Sequence, residues 1–406
     1  MTRPTTEPPR SPTTSPYPLL AGVGVAVLLL STTAFFRVPL LPEIGRDLSM
    51  SATQLGIITS VFAAGRLLTD LPAGRLLERM HPAALLSASA ALMVVGSLAL
   101  AVAGLPVTAY AAAFTLGISS AVTNATGMHA FSVAVPARRR GTALAVFSTA
   151  LLGGQALGPL AAGGIAGVSS WRVAEGVAGG ACAVLVLALL VLWRRGPSGH
   201  RPNATSDPDT TATSDEVVID TAPGARGALL AVSFAMFFTL GAMPQTLIPL
   251  IGANQLRLNV STIGLALGVG GACRLAGGFI GGTLADRVSR RAALLPGLVL
   301  QAVGVALVIG RGVPWWLAGI VVMSLASWSI SVGATVLADL TPEGELGPRL
   351  GRFRFIGDVG LITGPLVATQ LFERLGPAPT MTTVAGLLVA AAVWCAVSVP
   401  ETRARA

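Results

Sequence analysis

No lysine occurs anywhere in the 406 residues, and charged residues of every kind make up only 11% of the chain. A soluble domain of this size carries about a quarter, so a soluble two-domain enzyme is excluded. The three cysteines, Cys182, Cys273 and Cys395, all lie inside apolar runs. That placement argues against a disulfide framework and for ordinary core packing. Clusters of His, Cys and acids with metal-ligand spacing are missing, as is any His-x-x-x-Asp pair. Glycine-rich stretches occur within apolar runs, where helix packing explains them better than a nucleotide does. The expectation is no metal, no cofactor and no catalysis. The net charge of +9 would suggest nucleic acid in a soluble protein. Here it comes from arginines that lie mostly between apolar runs, which makes it a topology signal and gives no reason to expect a nucleic-acid partner.

What is present is apolar sequence, 53% of the chain, in runs about as long as a bilayer is thick. Windows of about 20 residues predict spans at 17–37, 54–73, 83–103, 106–134, 143–168 and 172–193, then at 227–250, 262–284, 292–310, 314–338, 351–372 and 378–399. The reading is an all-α membrane protein of twelve transmembrane helices in two six-helix bundles. Its parts are a Pro/Thr/Ser-rich tail at 1–16, a first bundle at 17–193, a polar linker at 194–226, a second bundle at 227–399 and a short tail at 400–406. The first span is read as retained, because no small-residue cleavage site follows it. The linker carries Asp207, Asp209, Asp215, Glu216 and Asp220 and reads as a solvated tether. Most arginines, including Arg138-Arg139-Arg140 and Arg287, Arg290 and Arg291, fall on the side of both termini. Positive charge stays inside, so both termini are expected in the cytoplasm. The sequon Asn203-Ala204-Thr205 would then escape glycosylation. Abundant Ala, Gly, Pro and Arg without Lys suggests a GC-rich genome and a bacterial inner membrane.

The two halves repeat each other. Pro136, Gly141, Phe147, Gly154 and Gly158-Pro159 recur at one constant offset as Pro342, Gly347, Phe353, Gly360 and Gly364-Pro365. Gly56, Arg66, Gly74 and Arg79 recur, at nearly the same offset, as Gly264, Arg274, Gly282 and Arg287. Parallel repeats of six spans place a ligand site near the midplane between the halves.

The run Gly282-Thr283-Leu284-Ala285-Asp286-Arg287-Val288-Ser289-Arg290-Arg291 resembles the loop signature of the major facilitator superfamily, Gly-x-Leu-Ala-Asp-Arg-x-Gly-Arg-Arg. A weaker copy, Gly74-Arg75-Leu76-Leu77-Glu78-Arg79, stands in the first half, with Met80-His81-Pro82 replacing the glycine and basic residues. Physically, the glycine would let two helices approach closely. The carboxylate would face the N-terminus of a helix from the other half, and the arginines would clamp helix ends, so the cluster is expected to hold the cytoplasmic side shut. In the fifth span, Gly154-Gln155-Ala156-Leu157-Gly158-Pro159-Leu160-Ala161-Ala162-Gly163-Gly164 is similar to the superfamily's antiporter signature. Pro159 permits a kink, and the glycines offer a bare face for packing across the two halves. Pro39-Leu40-Leu41-Pro42 followed by Leu48, at the exit of the first span, looks like the motif of twelve-span drug:proton antiporters. The fourth-span arginine of such antiporters is missing from Ala111 to Ser120.

Ionisable residues inside a membrane are costly and functional by default. Four stand out: Arg66, Asp70, Arg274 and Asp358. Arg66 and Asp70 are four apart and can pair. Arg274 is the repeat-mate of Arg66, whereas Gly278 and Leu152 stand where Asp70 and Asp358 would recur. Arg66, Asp70 and Asp358 are therefore candidates for a gate network or a proton relay, with Asp70 taking up the coupling proton. Gating is expected from Gly74, Glu78, Arg79, Gly282, Asp286, Arg287, Arg290 and Arg291. The resemblance places substrate among spans one, four, seven and ten, where Thr33, Arg37, Ser120, Asn124, His129, Gln245, Trp328 and Ser331 are polar or aromatic candidates, joined by Arg274. The lack of a carboxylate near their midplane favours neutral or weakly anionic substrates over permanent cations. The expected function is secondary active export of a small organic molecule, drug or metabolite, by a monomer in the bilayer using protons. A sugar or metabolite permease, or an uncoupled facilitator, is the alternative; a membrane-embedded sensor or enzyme is a distant one.

Overall fold

A bilayer offers no water to backbone amides, so a chain this apolar can cross it only as helices that bond internally. The computed structural model describes residues 17–195 and 223–400. These form α1 (Tyr17–Asp47), α2 (Ala52–Arg79), α3 (Pro82–Ala101), α4 (Pro106–Val133), α5 (Arg140–Val168) and α6 (Trp171–Arg195). There follow α7 (Pro223–Ala242, then Met243–Leu247 and Ile248–Asn254), α8 (Val260–Arg287) and α9 (Arg290–Leu307). The last three are α10 (Val313–Leu325, Ala326–Trp328 and Ser329–Asp339), α11 (Leu346–Leu375) and α12 (Pro377–Ser398). By length and composition ten of these are able to cross a membrane; α2 and α4, each of 28 residues, fall short. Those two carry the interior polar groups, Arg66 and Asp70 on α2 and a run of hydroxyls on α4. The first tail, the linker with its sequon, and residues 401–406 lie outside the described residues.

Short connections are fixed by caps. Nδ1 of His81 accepts from the amide of Ala83 at 3.2 Å, with Pro82 filling the first helical position. Asn259 and Ser289 cap α8 and α9 in the same way, at 2.8 and 3.0 Å. His81 is thus a helix cap. Pro39 and Pro42, expected at a helix exit, lie inside α1, which runs on to Asp47.

The helices alternate in direction, so the chain has a terminal face, where α1 begins and α12 ends, and a distal face. Within the first six, α1 packs on α5, α2 on α4, and α3 on α4 and α6; within the last six, α7 packs on α11 and α9 on α10 and α12. Between the sets the main seams are α5 with α8 and α2 with α11. Lipid-facing surface is supplied by Val95 and Leu98 on α3, Val177, Val184 and Leu187 on α6, Val299 and Val303 on α9, and Val393 and Trp394 on α12, all exposed. Such a belt would aggregate in water and suits hydrocarbon.

Candidate functional site

Two departures from regular helix shape the centre of the molecule. In α7, Pro244 cannot donate, and the chain opens into a π-helical turn, Met243–Leu247. The freed Gly241 carbonyl is taken by Thr246 Oγ1 at 2.9 Å, and Thr59 of α2 donates to the Gln245 carbonyl at 3.4 Å. The turn leaves the Gln245 side chain facing inward. In α10 a 3-10 turn, Ala326–Trp328, follows Ser324 and includes Ser327.

Between α1, α5, α7, α8, α9 and α10 lies a cavity of about 80 Å³. Phe35, Leu240, Leu267, Ile320 and Met323 make most of its wall apolar. Its polar groups are Arg274, Gln155, Gln245, Gln301, Ser324 and Ser327. Arg274 Nη1 reaches Gln155 Oε1 at 3.5 Å. Gln245 and Gln301 are buried, and each leaves Oε1 without a partner. No carboxylate lines the cavity. One cation and two glutamines with unpartnered amide oxygens therefore line a small apolar chamber.

Of the expected substrate residues, Gln245 and Arg274 line this cavity, and the others do not. Thr33 is buried against α6, with its hydroxyl 3.2 Å from the Cys182 thiol. Arg37 is enclosed in the first bundle, stacked on Phe62. Ser120, Asn124 and His129 are on α4, which stands behind α2 and α3. There Ser89 joins Ser119 and Thr123 in a buried hydroxyl cluster, with Ser89 Oγ 2.6 Å from Thr123 Oγ1. Trp328 donates to the Ala293 carbonyl at 2.9 Å and packs on Gly281. Ser331 is exposed, one turn past Ser327. Gln155, Gln301, Ser324 and Ser327 replace them. Gln155 lay unremarked inside the antiporter-like motif, and the signal for the rest is a polar side chain inside an apolar run.

That motif also divides its labour differently from expectation. Gly154 and Gly158 meet α1, where a Cβ would lie 2.5 Å from the Leu28 carbonyl oxygen and 2.4 Å from that of Thr32. Of its glycines only Gly163 faces the other half, at α8, beside Gln155, Ala156, Pro159 and Leu160, and Gly164 faces open space. In the loop signature the close approach belongs to Gly281, one residue before Gly282, which has nothing within 4 Å.

The distal face is closed. Gly163 and Gly264 cross so tightly that a Cβ on Gly264 would fall 2.4 Å from the Pro159 carbonyl oxygen. Their repeat-mates do the same on the far side, where a Cβ on Gly56 would fall 2.9 Å from the Pro365 carbonyl oxygen. Ser261 donates to Gly163 at 3.0 Å and Ser60 to Ile362 at 2.7 Å. Glu373 of α11 caps the start of α2, accepting from Thr53 N at 2.9 Å and Thr53 Oγ1 at 2.5 Å. A lost cap costs ~0.5–2 kcal/mol, so Glu373→Ala is expected to raise distal-side thiol labelling of an introduced cysteine at Thr53 several-fold. Unchanged labelling would show that Glu373 does not latch this face.

The terminal face is open by comparison, with an apolar opening of about 1040 Å³ between α1, α4 and α5 that reaches Leu275 of α8. Asp286 does not reach the first half. It is 70% exposed and pairs with Arg290 at 2.8 Å, which also holds Asp339 at 3.1 Å. Arg291 does clamp a helix end, donating to the carbonyls of Ala396 and, at 3.2 Å, Val399. Arg287 is exposed. The surroundings of Gly74 and the side chains of Glu78 and Arg79 lie outside the described residues. Asp70 turns from Arg66 to Arg354 of α11, at 3.4 Å, and among the described residues Arg66 makes no ion pair within 4.0 Å. Asp358, 3% exposed, interacts electrostatically with Arg66 and Arg354. Arg354 was missed because it stands about two turns inside α11, near the terminal face, where the arginine bias explains it as topology.

The family model for the Major Facilitator Superfamily matches residues 23–272 and 227–406. Among curated proteins, the chain is similar to the probable galactarate/D-glucarate transporter GarP of Escherichia coli (strain K12). They are 24% identical over 374 residues, 82% of this chain and 83% of that one. The minor myo-inositol transporter IolF of Bacillus subtilis (strain 168) is 32% identical over 128 residues, 30% of this chain and 28% of that one. Among solved structures, a bacterial homolog of the human lysosomal transporter Spinster, in an inward-facing and occupied conformation, superposes with a TM-score of 0.72. At 15% identity over 95% of each chain, that likeness speaks for the fold alone.

Proposed function

The chain belongs to the major facilitator superfamily, whose members move small organic solutes across membranes rather than transform them, and on that premise we propose that it carries small hydroxylated organic acids by proton-coupled alternating access. The observation that carries this reading is the cavity wall: one arginine, no carboxylate, and two amide oxygens without donors. A guanidinium matches a carboxylate in a two-pronged geometry. An unpaired buried amide oxygen costs about 1–3 kcal/mol until a donor such as a hydroxyl arrives. A solute carrying both groups satisfies the whole set. GarP's name, galactarate/D-glucarate transporter, and IolF's, myo-inositol transporter, are of this polar, hydroxyl-rich kind. Of the drug or metabolite export expected from the sequence, the drug:proton form suggested by the first-span motif is set aside, because a lone arginine repels the cationic compounds typical of such exporters.

With the arginine bias placing the terminal face in the cytoplasm, the closed distal face and open terminal face correspond to an inward-facing state. Release of the Gly56–Pro365 and Gly264–Pro159 contacts together would open the other side. The network of Arg66, Asp70, Arg354 and Asp358 is assigned to joining α2 and α11 near the terminal face. Such a cycle is reversible, so the direction of flux follows the gradients of solute and proton. The test is uptake of labelled D-glucarate into proteoliposomes, with and without an imposed pH gradient. Uptake stimulated by the gradient supports the reading. No flux of D-glucarate or galactarate in a protein that transports a quaternary ammonium compound would overturn it.

A further inference from the structure

The only other fully enclosed acid among the described residues is Glu175, on α6 one turn from the distal face. It is 0% exposed, and both its carboxyl oxygens lack a hydrogen-bond partner. Arg37 of α1, 1% exposed, faces it electrostatically and has Nε and Nη2 unpartnered. The two do not approach within 4.0 Å. The guanidinium instead donates through Nη1 to the Ala34 carbonyl and lies over the Phe62 ring, 3.6 Å from its centroid. Phe62 meets Phe35 edge-on at 6.4 Å, and Phe35 lines the solute cavity. From the guanidinium, which the acid faces without touching, a chain of contacts thus runs through Phe62 and Phe35 to the cavity wall.

We propose that Glu175 is the carboxyl that exchanges the coupled proton, and that Arg37 relays its charge state to the cavity through Phe62 and Phe35. This rests on the proton-coupled reading above. With the proton on Glu175 the acid is neutral and the guanidinium rests on Phe62, the arrangement seen here. The carboxyl takes up its proton from water when the distal face is open and, once that face has closed, gives it up toward the terminal side; the carboxylate then draws the guanidinium off the ring into an ion pair. Phe62 and Phe35 then lose the cation that holds them. A buried carboxyl whose oxygens have no hydrogen-bond partner is poorly explained as a static brace, since an unpaired intramembrane charge would be costly. A group that switches between two partners needs both positions open.

The surroundings leave few rivals. Ser97 of α3 stands beside the carboxyl, and α3 carries no ionisable residue. On α1 the other charges are Glu43, Arg46 and Asp47, and Asp47 is taken by Arg172 of α6 at 2.8 Å. The thiol of Cys182 lies two turns along α6, bonded to Thr33. On α5 the one ionisable residue is Arg140, at the opposite end. The second repeat has no equivalent, because α12 carries no ionisable residue besides Cys395. Asp358 and Asp70, by contrast, share two arginines with each other.

The experiment compares wild type with Glu175→Gln in proteoliposomes, using D-glucarate as probe, and follows the carboxylic-acid carbonyl band of the purified protein by infrared spectroscopy across pH. The variant is expected to keep exchange of labelled for unlabelled D-glucarate at equal pH, to lose all stimulation by a pH gradient, and to lose one titrating carbonyl band. A bracing role alone would lower exchange and stimulation together. Gradient-driven accumulation retained in the variant, or an unchanged infrared titration, overturns the proposal. If wild type moves no D-glucarate, the hydroxy-acid reading falls, and the infrared comparison still decides for or against Glu175.

Discussion

Replacing Arg274 by glutamine is expected to weaken binding of a hydroxy acid by about ten- to 150-fold, the equivalent of the ~1.5–3 kcal/mol carried by a hydrogen bond to a charged group. Arg274 is the sole cation on the cavity wall, and its neighbours, Gln155 at 3.5 Å and the apolar side chains around it, cannot substitute for a positive charge. Arg274→Lys keeps the charge and loses the planar fork, so it should fall between wild type and the glutamine variant. The same substitution should leave thermal stability unchanged or raise it. A guanidinium in the membrane interior is held there at a cost, and removing such a group commonly stabilises a protein while impairing its activity. Scintillation proximity binding of labelled D-glucarate, beside a thermal melt, reads both effects. Equal loss of binding and of stability would mean that Arg274 braces the fold.

Valine at Gly264 is expected to abolish most turnover by preventing the distal face from closing. Its Cβ would sit 2.4 Å from the Pro159 carbonyl oxygen and 2.8 Å from Gly163 Cα, both backbone atoms of the other half. Overpacking costs about 1–3 kcal/mol, and here it is charged only to the distally closed state. That shifts the balance between states by about five- to 150-fold toward the distally open one. Gly56→Val should act alike, because Gly56 meets Pro365 and Thr369 of α11 at the corresponding seam. Distance measurements between spin labels at the distal ends of α5 and α8 should lengthen in both variants. Unaltered distances with normal turnover would show that these crossings are not the gate.

The two seams were half legible in the sequence. Gly56 with Gly264 and Pro159 with Pro365 stood out as repeat-mates, and a duplicated chain builds duplicated contacts. Which glycine touches which helix was not legible. Gly154 and Gly158 pack on α1 within their own half, and Gly281 takes the place expected of Gly282. The physical reason is that lipid-facing and protein-facing sides of a membrane helix are both apolar, so periodicity reveals the span and hides its rotation. The resemblance, not periodicity, put α4 at the cavity; it left out α9, while Arg274 already pointed to α8. Buried charge was easier to find in mid-span than near an end. Arg66, Arg274 and Asp358 were visible as interruptions of apolar runs. Glu175, four residues after Trp171, was not singled out because it stands near the end of its apolar run, although the antiparallel pairing of α1 and α6 encloses it completely. The linker and tails, polar and Pro-rich, gave composition and nothing more.

The most direct measurement is a calorimetric titration of the purified protein with D-glucarate and, separately, with tetramethylammonium. The account predicts saturable binding of the dicarboxylate that is lost in Arg274→Gln, and no binding of the cation. Binding of the cation with none of the dicarboxylate would contradict it.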